Sequence, residues 1–158
     1  MNATAPRFAC DVMLGRTARW LRLLGIDTFY DNGADDADLK KLCLGENRVL
    51  LTKDVELHGL MPAGTSRLVN GVHPRQQLEE LVAAYGLDRI MLPPRCSLCN
   101  GELAAIAKER VKDYVPPYVF GTQARFQRCC QCQKIYWPGT HLAAIRQFLN
   151  GQRAQPQS

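Results

Sequence analysis

What this chain lacks narrows it first. No window approaches the roughly 18 consecutive apolar residues of a membrane span, so a soluble protein is expected. The first nine residues, MNATAPRFA, hold no charged stretch leading into an apolar one, so no secretory signal is visible. No G-x-G-x-x-G follows the first predicted strand and no G-x-x-x-x-G-K-[ST] occurs anywhere, which ranks a nucleotide-binding Rossmann-like domain last. Internal repeats are absent. Histidine is scarce, at three residues, and His58 and His73 sit in no recognisable pattern.

Cysteine, by contrast, is plentiful, with seven in 158 residues. In a secreted chain that density reads as a disulfide scaffold; an odd count without a signal fits a reducing cytoplasm. Four of the seven form two close pairs, Cys96-Ser97-Leu98-Cys99 and Cys129-Cys130-Gln131-Cys132. Pro93-Pro94-Arg95 and Asn100-Gly101 give the first pair a turn-forming context. The second runs into Lys134-Ile135-Tyr136-Trp137, which reads as the strand leaving a knuckle. A lone C-x-x-C leaves redox chemistry open; two in one short segment favour a closed, all-cysteine structural zinc site. Cys10, Cys43 and Cys130 then read as small buried hydrophobes. His141, in Trp137-Pro138-Gly139-Thr140-His141, reads as a packed histidine, because four cysteines already complete a tetrahedron.

Charge is uneven along the chain. Residues 1–92 carry 11 Lys+Arg against 12 Asp+Glu, and residues 93–158 carry 9 against 3. A nearly neutral first part is thus joined to a basic one. There, Lys108, Arg110, Lys112, Arg125, Arg128 and Lys134 are interleaved with Tyr114, Tyr118, Phe120, Phe126, Tyr136 and Trp137, the composition of a surface that grips a polyanion. The same aromatics also read as the small module's core, the reading favoured here.

The first part alternates strand and helix. Phe8–Met13 is an apolar run interrupted by Asp11. Leu14, Ala18, Leu21 and Leu24 follow helical spacing up to Gly25. Ile26–Tyr30 reads as a second strand. A helix starting at Asp35-Asp36 carries Leu39, Leu42 and Cys43 and is closed by Gly45. Val49–Thr52 is a third strand, with a short helix after Asp54; residues 67–69 are a weak fourth. Pro74 opens a helix carrying Leu78, Leu81, Val82 and Tyr85, stopped by Gly86. This order predicts an α/β fold, a parallel sheet flanked by helices. The expected organisation is a sheet domain over residues 7–92, a zinc ribbon with a C-terminal helix (about Leu142–Leu149) over 93–149, and a disordered tail over 150–158.

In such a sheet, ligands gather at the carboxyl ends of the strands. Asp11, Asp36 and Asp54 can all meet there, and crowded carboxylates call for a divalent cation such as Mg²⁺ or Mn²⁺. Asp36 and Asp54 read equally as helix N-caps. Asp11 is harder to explain that way, since a carboxylate in an apolar strand needs a partner; Arg16 or Arg19 is the nearest.

The stretches Phe8–Arg16, Ala18–Asp27, Arg48–Asp54, Arg95–Gly101 and Tyr136–His141 resemble the Mut-seven C-terminal RNase domain family, in order and across about residues 7–145. The resemblance implies a PIN-like nuclease fold followed by a small zinc ribbon, and a divalent-metal-dependent ribonuclease. Its acidic residues correspond to Asp11, Asp36 and Asp54, holding Mg²⁺ or Mn²⁺, with Asp36 preferred to Asp35 or Asp38 by its distance from Leu39. The fourth acidic residue common in PIN nucleases has no clear match, Glu56 being the nearest. RNA is the expected partner, with Arg16 and Arg19 contacting phosphates near the aspartates and Arg125, Arg128 and Lys134 extending its path over the ribbon. The alternative is a catalytically silent RNA-binding or adaptor protein.

Overall fold

The computed structural model describes residues 4–154. Four short strands, β1 (Phe8–Cys10), β2 (Thr28–Phe29), β3 (Val49–Thr52) and β4 (Ser66–Leu68), form a parallel sheet in the order β2-β1-β3-β4. Period-2 alternation along the strands sorts the core onto two faces. Phe8, Cys10 and Leu51 point to one, where Leu14 joins Ala18, Leu21, Leu78 and Leu81 from α1 (Gly15–Leu23) and α4 (Pro74–Tyr85). Ala9 and Leu50 point to the other and meet Leu39, Cys43 and Leu57 of α2 (Asp36–Glu46) and α3 (Val55–Leu60). Each fully buried leucine contributes roughly 1.5–3 kcal/mol of transfer free energy, so the apolar strands hold the sheet although none exceeds four residues. Thr17 and Gln77, both buried, hydrogen-bond across the α1–α4 contact.

Several boundaries differ from expectation. The first strand stops at Cys10 because the Asp11 carboxylate accepts the Val12 N–H and turns the chain into a single 3-10 turn, Val12–Leu14. Asp11 therefore follows the strand instead of lying inside it. Gly45 does not close α2. The helix continues to Glu46 and is capped by Asn47 in the left-handed region (φ 56°); glycine inside a helix costs only about 1 kcal/mol relative to alanine, and Asn tolerates the left-handed cap. The final helix, α6 (Thr140–Ala154), runs past Leu149 at its C-terminal end, and its Ile145 and Leu149 join the α1–α4 face of the core. Of the tail expected to be disordered, residues 155–158 lie outside the described residues, as does the His141 side chain.

The second sheet is antiparallel, β5 (Leu103–Ile106), β6 (Phe126–Cys129) and β7 (Ile135–Tyr136), in sequence order. Between β5 and β6 a 3-10 turn (Lys108–Arg110) and α5 (Pro117–Thr122) fold over a small core of Val111, Val115 and Phe126 with Ile106, Phe120 and Trp137. The aromatics thus divide: Phe126 is buried, whereas Tyr114 and Tyr118 are 77% and 79% exposed and contribute nothing to that core. Among the described residues no helix is long and apolar enough to cross a membrane.

The two sheets are locked together by polar contacts. Arg22, buried on α1, donates to the carbonyls of Thr28 (2.8 Å), Ser97 (2.9 Å), Leu98 (3.3 Å) and Tyr30 (3.5 Å). Asn100 donates to Asp27 (2.7 Å) and accepts the Thr28 N–H (3.1 Å). Gly25, at φ 85°, completes the junction: a Cβ there would lie 2.5 Å from both Leu92 Cβ and the Pro93 carbonyl.

Candidate functional site

At the carboxyl ends of the parallel strands the structure brings together the three predicted aspartates. Asp11 is 7% exposed; Oδ1 accepts the Val12 N–H (2.7 Å) and Oδ2 accepts the Thr52 hydroxyl (2.9 Å). The same Thr52 oxygen accepts the Asp54 N–H (3.0 Å), so one hydroxyl ties the ends of β1 and β3 together. Asp54 is exposed and caps α3 by accepting the Leu57 N–H (3.1 Å). Asp35 is the N-cap of α2, accepting the Asp38 N–H. Asp36 is therefore not the cap; it occupies the first helical position, exposed, with no hydrogen bond or ion pair among the described residues. Its pKa is raised, by partial desolvation and then by the carboxylates of Asp11, Asp54 and Asp35. Three carboxylates from three elements thus converge, and among the described residues no ion pair joins any of them to a lysine or arginine.

Neither arginine expected beside Asp11 pairs with it. Arg16 and Arg19 are exposed, and among the described residues no ion pair joins either to Asp11, Asp36 or Asp54. Asp11 is satisfied by Thr52 and a backbone N–H instead. Glu56 sits exposed in the first turn of α3. Lys53 turns to the loop after β4, donating to the Gly71 carbonyl (2.6 Å).

The four paired cysteines form the second constellation. Their sulfurs all lie within 4.8 Å of one another, the one such gathering of metal-ligating groups among the described residues. Cys96 and Cys132 are 3.6 Å apart, Cys99 and Cys129 3.4 Å. A tetrahedron with Zn–S bonds of about 2.3 Å has S···S edges of about 3.8 Å, whereas a disulfide would need about 2.05 Å. The geometry fits a closed tetrahedral site and excludes a pair of disulfides. Both knuckles are built alike. The residue after each second cysteine, Asn100 or Gln133, is left-handed (φ 70° and 68°), and its N–H bonds the carbonyl of the first cysteine. Gly101 leaves room for the sulfurs: a Cβ there would fall 2.8 Å from Cys129 Sγ.

Electrostatics around the sulfurs are asymmetric. Desolvation and the neighbouring thiols push Cys99 up to about 12. Desolvation also opposes ionisation of Cys129, but the N–H groups of Cys132 and Gln131 bring it down to about 7. Tyr136 bonds Cys96 Sγ through its hydroxyl (2.9 Å) and accepts the Ser97 N–H. Of the three remaining cysteines, Cys10 and Cys43 are buried, and burial pushes them to about 12 and 11. Cys130 is exposed, contrary to expectation. Its N–H is held by the Glu102 carbonyl in a knuckle whose neighbouring positions turn their sulfurs inward.

The family model described as Mut7-C RNAse domain matches residues 6–149. The chain belongs to the Mut7-C RNAse domain family. That span takes in both sheets, both cysteine pairs and all three aspartates, so every group described above lies within the Mut7-C region. No match is found among curated proteins or among solved structures. The basic residues expected to extend an RNA path lie on the Mut7-C chain's antiparallel module: Arg125 and Lys134 are exposed, Arg128 is half-buried, and Lys134 lies over the Tyr136 ring at 5.2 Å.

Arg22, Thr52 and Asn100 hold the surroundings of the two constellations together, and sequence reasoning missed them. Arg22 had a signal: it lies four residues after Ala18 on the buried stripe of α1, where an arginine must find acceptors. Thr52 had a weaker one, its place two residues before Asp54. Asn100 had none beyond its turn.

Proposed function

We propose that this Mut7-C protein is a divalent-metal-dependent ribonuclease of PIN-like fold, cleaving RNA phosphodiesters at the carboxyl edge of its parallel sheet. The observation that carries the reading is the convergence of Asp11, Asp36 and Asp54, seen in an Asp36 pKa raised by partial desolvation and then by the neighbouring carboxylates. The residues suit a cation of the Mg²⁺ or Mn²⁺ type, because their donors are all carboxylate oxygens. Such an ion supplies an activated water and offsets the charge developing on the phosphodiester.

The chain's own groups do the positioning. Thr52 fixes one oxygen of Asp11 and the Asp54 backbone, so two carboxylates on adjacent strands keep a set spacing. Asp36, unbonded at the start of α2, can adjust its rotamer as the site fills. Arg16 and Arg19, exposed on α1 and unpaired with the acids, are left to contact phosphates flanking the scissile one. The four cysteines hold a structural zinc, and the basic antiparallel module extends the RNA path.

Incubation of the zinc-loaded protein with a mixed RNA panel, with Mn²⁺, with Mg²⁺ or without added metal, tests this. Metal-dependent cleavage is the expected result. RNA binding without turnover in either metal would instead favour the silent RNA-binding or adaptor reading.

A further inference from the structure

Two hollows lie where the antiparallel module meets the parallel sheet. One, of about 500 Å³, is lined by Arg7, Gly25, Asp27, Pro93 and Arg95 and opens at the amino ends of β1 and β2, where Arg7 and Asp27 are already paired. The other, of about 400 Å³, is walled by Arg19, Phe29, Tyr30, Ser97, Leu98 and Asn100 and opens at the carboxyl ends. The parallel register sets Ala9 opposite Phe29, and Asp31, on this second cleft, follows β2 as Asp11 follows β1. The Tyr30 hydroxyl donates to the Val12 carbonyl (3.0 Å), next to Asp11 in the chain. Tyr30 thus links the cleft to the acidic edge.

Its charges are unequally committed. Arg22 spends its donors on four carbonyls. Arg19, one helical turn before it, is exposed and has no hydrogen bond or ion pair among the described residues. Like charges at this spacing on a helix repel, and Arg19 keeps its whole fork of donors for an external acceptor. The cleft's carboxylate, Asp31, is held by the Gly33 N–H (2.9 Å). A free guanidinium on the same sheet face as the Tyr30 ring suits a phosphate with its base attached, the one by bidentate hydrogen bonds and the other by stacking. The volume lies within the range of small-ligand pockets.

We propose that this cleft seats one nucleotide of a single-stranded RNA next to the scissile phosphate. Arg19 takes its phosphate, and Tyr30 and Leu98 contact its base. The inference rests on the ribonuclease reading and adds to it that the first cysteine knuckle forms part of the substrate site, since Leu98 and Ser97 sit between Cys96 and Cys99.

The test uses the zinc-loaded full chain and a short single-stranded RNA carrying 4-thiouridine, with Ca²⁺ present for binding and Mn²⁺ for turnover. Photocrosslinks are expected in the peptides containing Tyr30 and Leu98. Arg19→Gln should weaken binding about tenfold and flatten the log-log salt dependence by about 0.7. It should raise KM while kcat stays within about twofold. Leu98→Glu, at an exposed position, should weaken binding at least as much. Crosslinks confined to other surfaces, with wild-type affinity in both variants, would overturn the cleft. Turnover with unchanged KM in both variants would sink the cleft and leave the ribonuclease reading standing. RNA crosslinked in the cleft but never cleaved in Mn²⁺ or Mg²⁺ would do the reverse.

Discussion

The four cysteines bring their sulfurs within 4.8 Å of one another, whereas Asp11, Asp36 and Asp54 converge without closing to that separation. The difference follows from protonation. Thiols are neutral at pH 7 unless helped to ionise, so sulfurs can approach in the absence of metal, with the N–H groups of Gln131 and Cys132 and the Tyr136 hydroxyl holding the arrangement. Carboxylates are ionised at that pH and repel. They stay apart on hydrogen-bond donors or in water until a cation or substrate arrives. One constellation is closed, and we assign it to the fold; the other is open, and the proposed function assigns it to chemistry.

The largest effect should come from the closed site. Cys99→Ser is expected to lower zinc from about one per chain and to abolish hydrogen-exchange protection across the antiparallel module, because zinc binding of roughly 10–16 kcal/mol in comparable small sites is itself folding energy. Cys130→Ser, at an exposed sulfur, should change neither zinc content nor protection. Equal behaviour of the two variants would erase the distinction between ligand and bystander.

Next in size is the open site. Asp11→Asn, Asp36→Asn and Asp54→Asn should each lower cleavage about 100-fold or more, equivalent to roughly 2.7 kcal/mol of barrier. Melting temperatures should stay level or rise, since carboxylate repulsion is relieved. Asparagine caps a helix as well as aspartate. Full activity in Asp54→Asn would therefore make that residue a cap of α3 and nothing more.

The joint between the regions titrates differently. Asp27 is partly desolvated, which opposes ionisation, but hydrogen bonds from Arg48 and Asn100 and the charges of Arg48 and Arg95 bring it down to about 2, from 3.8. A folded pKa below the unfolded one gives stability that is complete above the unfolded value and is lost as pH falls from about 4 through about 2. Acid titration of Asp27→Asn by circular dichroism should show a shallower loss over that window. A wild-type slope in the variant would mean that the joint contributes nothing to acid sensitivity.

The smallest effect is expected from the basic face. Replacing Arg125, Arg128 and Lys134 together by Gln should flatten the salt dependence of RNA binding by up to about 0.7 per lost phosphate contact and raise KM, with kcat nearly unchanged. An unaltered salt slope would assign those charges to solubility.

Legibility in the sequence tracked how local each determinant was. The cysteine pairs, the apolar strands and the Pro74–Gly86 helix depend on near neighbours in the chain, and all were found. The placement of Asp11 at the end of β1 was legible because an acid in an apolar run is costly. Gly45 misled because Asn47, two residues on, could take the left-handed cap. Cys130 misled because its orientation depends on which way the knuckle turns its neighbours, a property of the closed cluster. Asp35 and Asp36, adjacent acids, exchange cap and site roles with a one-residue shift of the helix start. Arg22 and the cleft beside it join residues some 75 apart, which no local pattern encodes.

Manganese binding to the zinc-loaded chain, followed by electron paramagnetic resonance beside elemental analysis, tests the central claim most directly. Wild type should bind Mn²⁺ while keeping its zinc, and Asp11→Asn should lose the Mn²⁺ with zinc unchanged. Undiminished Mn²⁺ binding in Asp11→Asn, or zinc lost together with it, would contradict an open acidic site separate from a closed thiolate one.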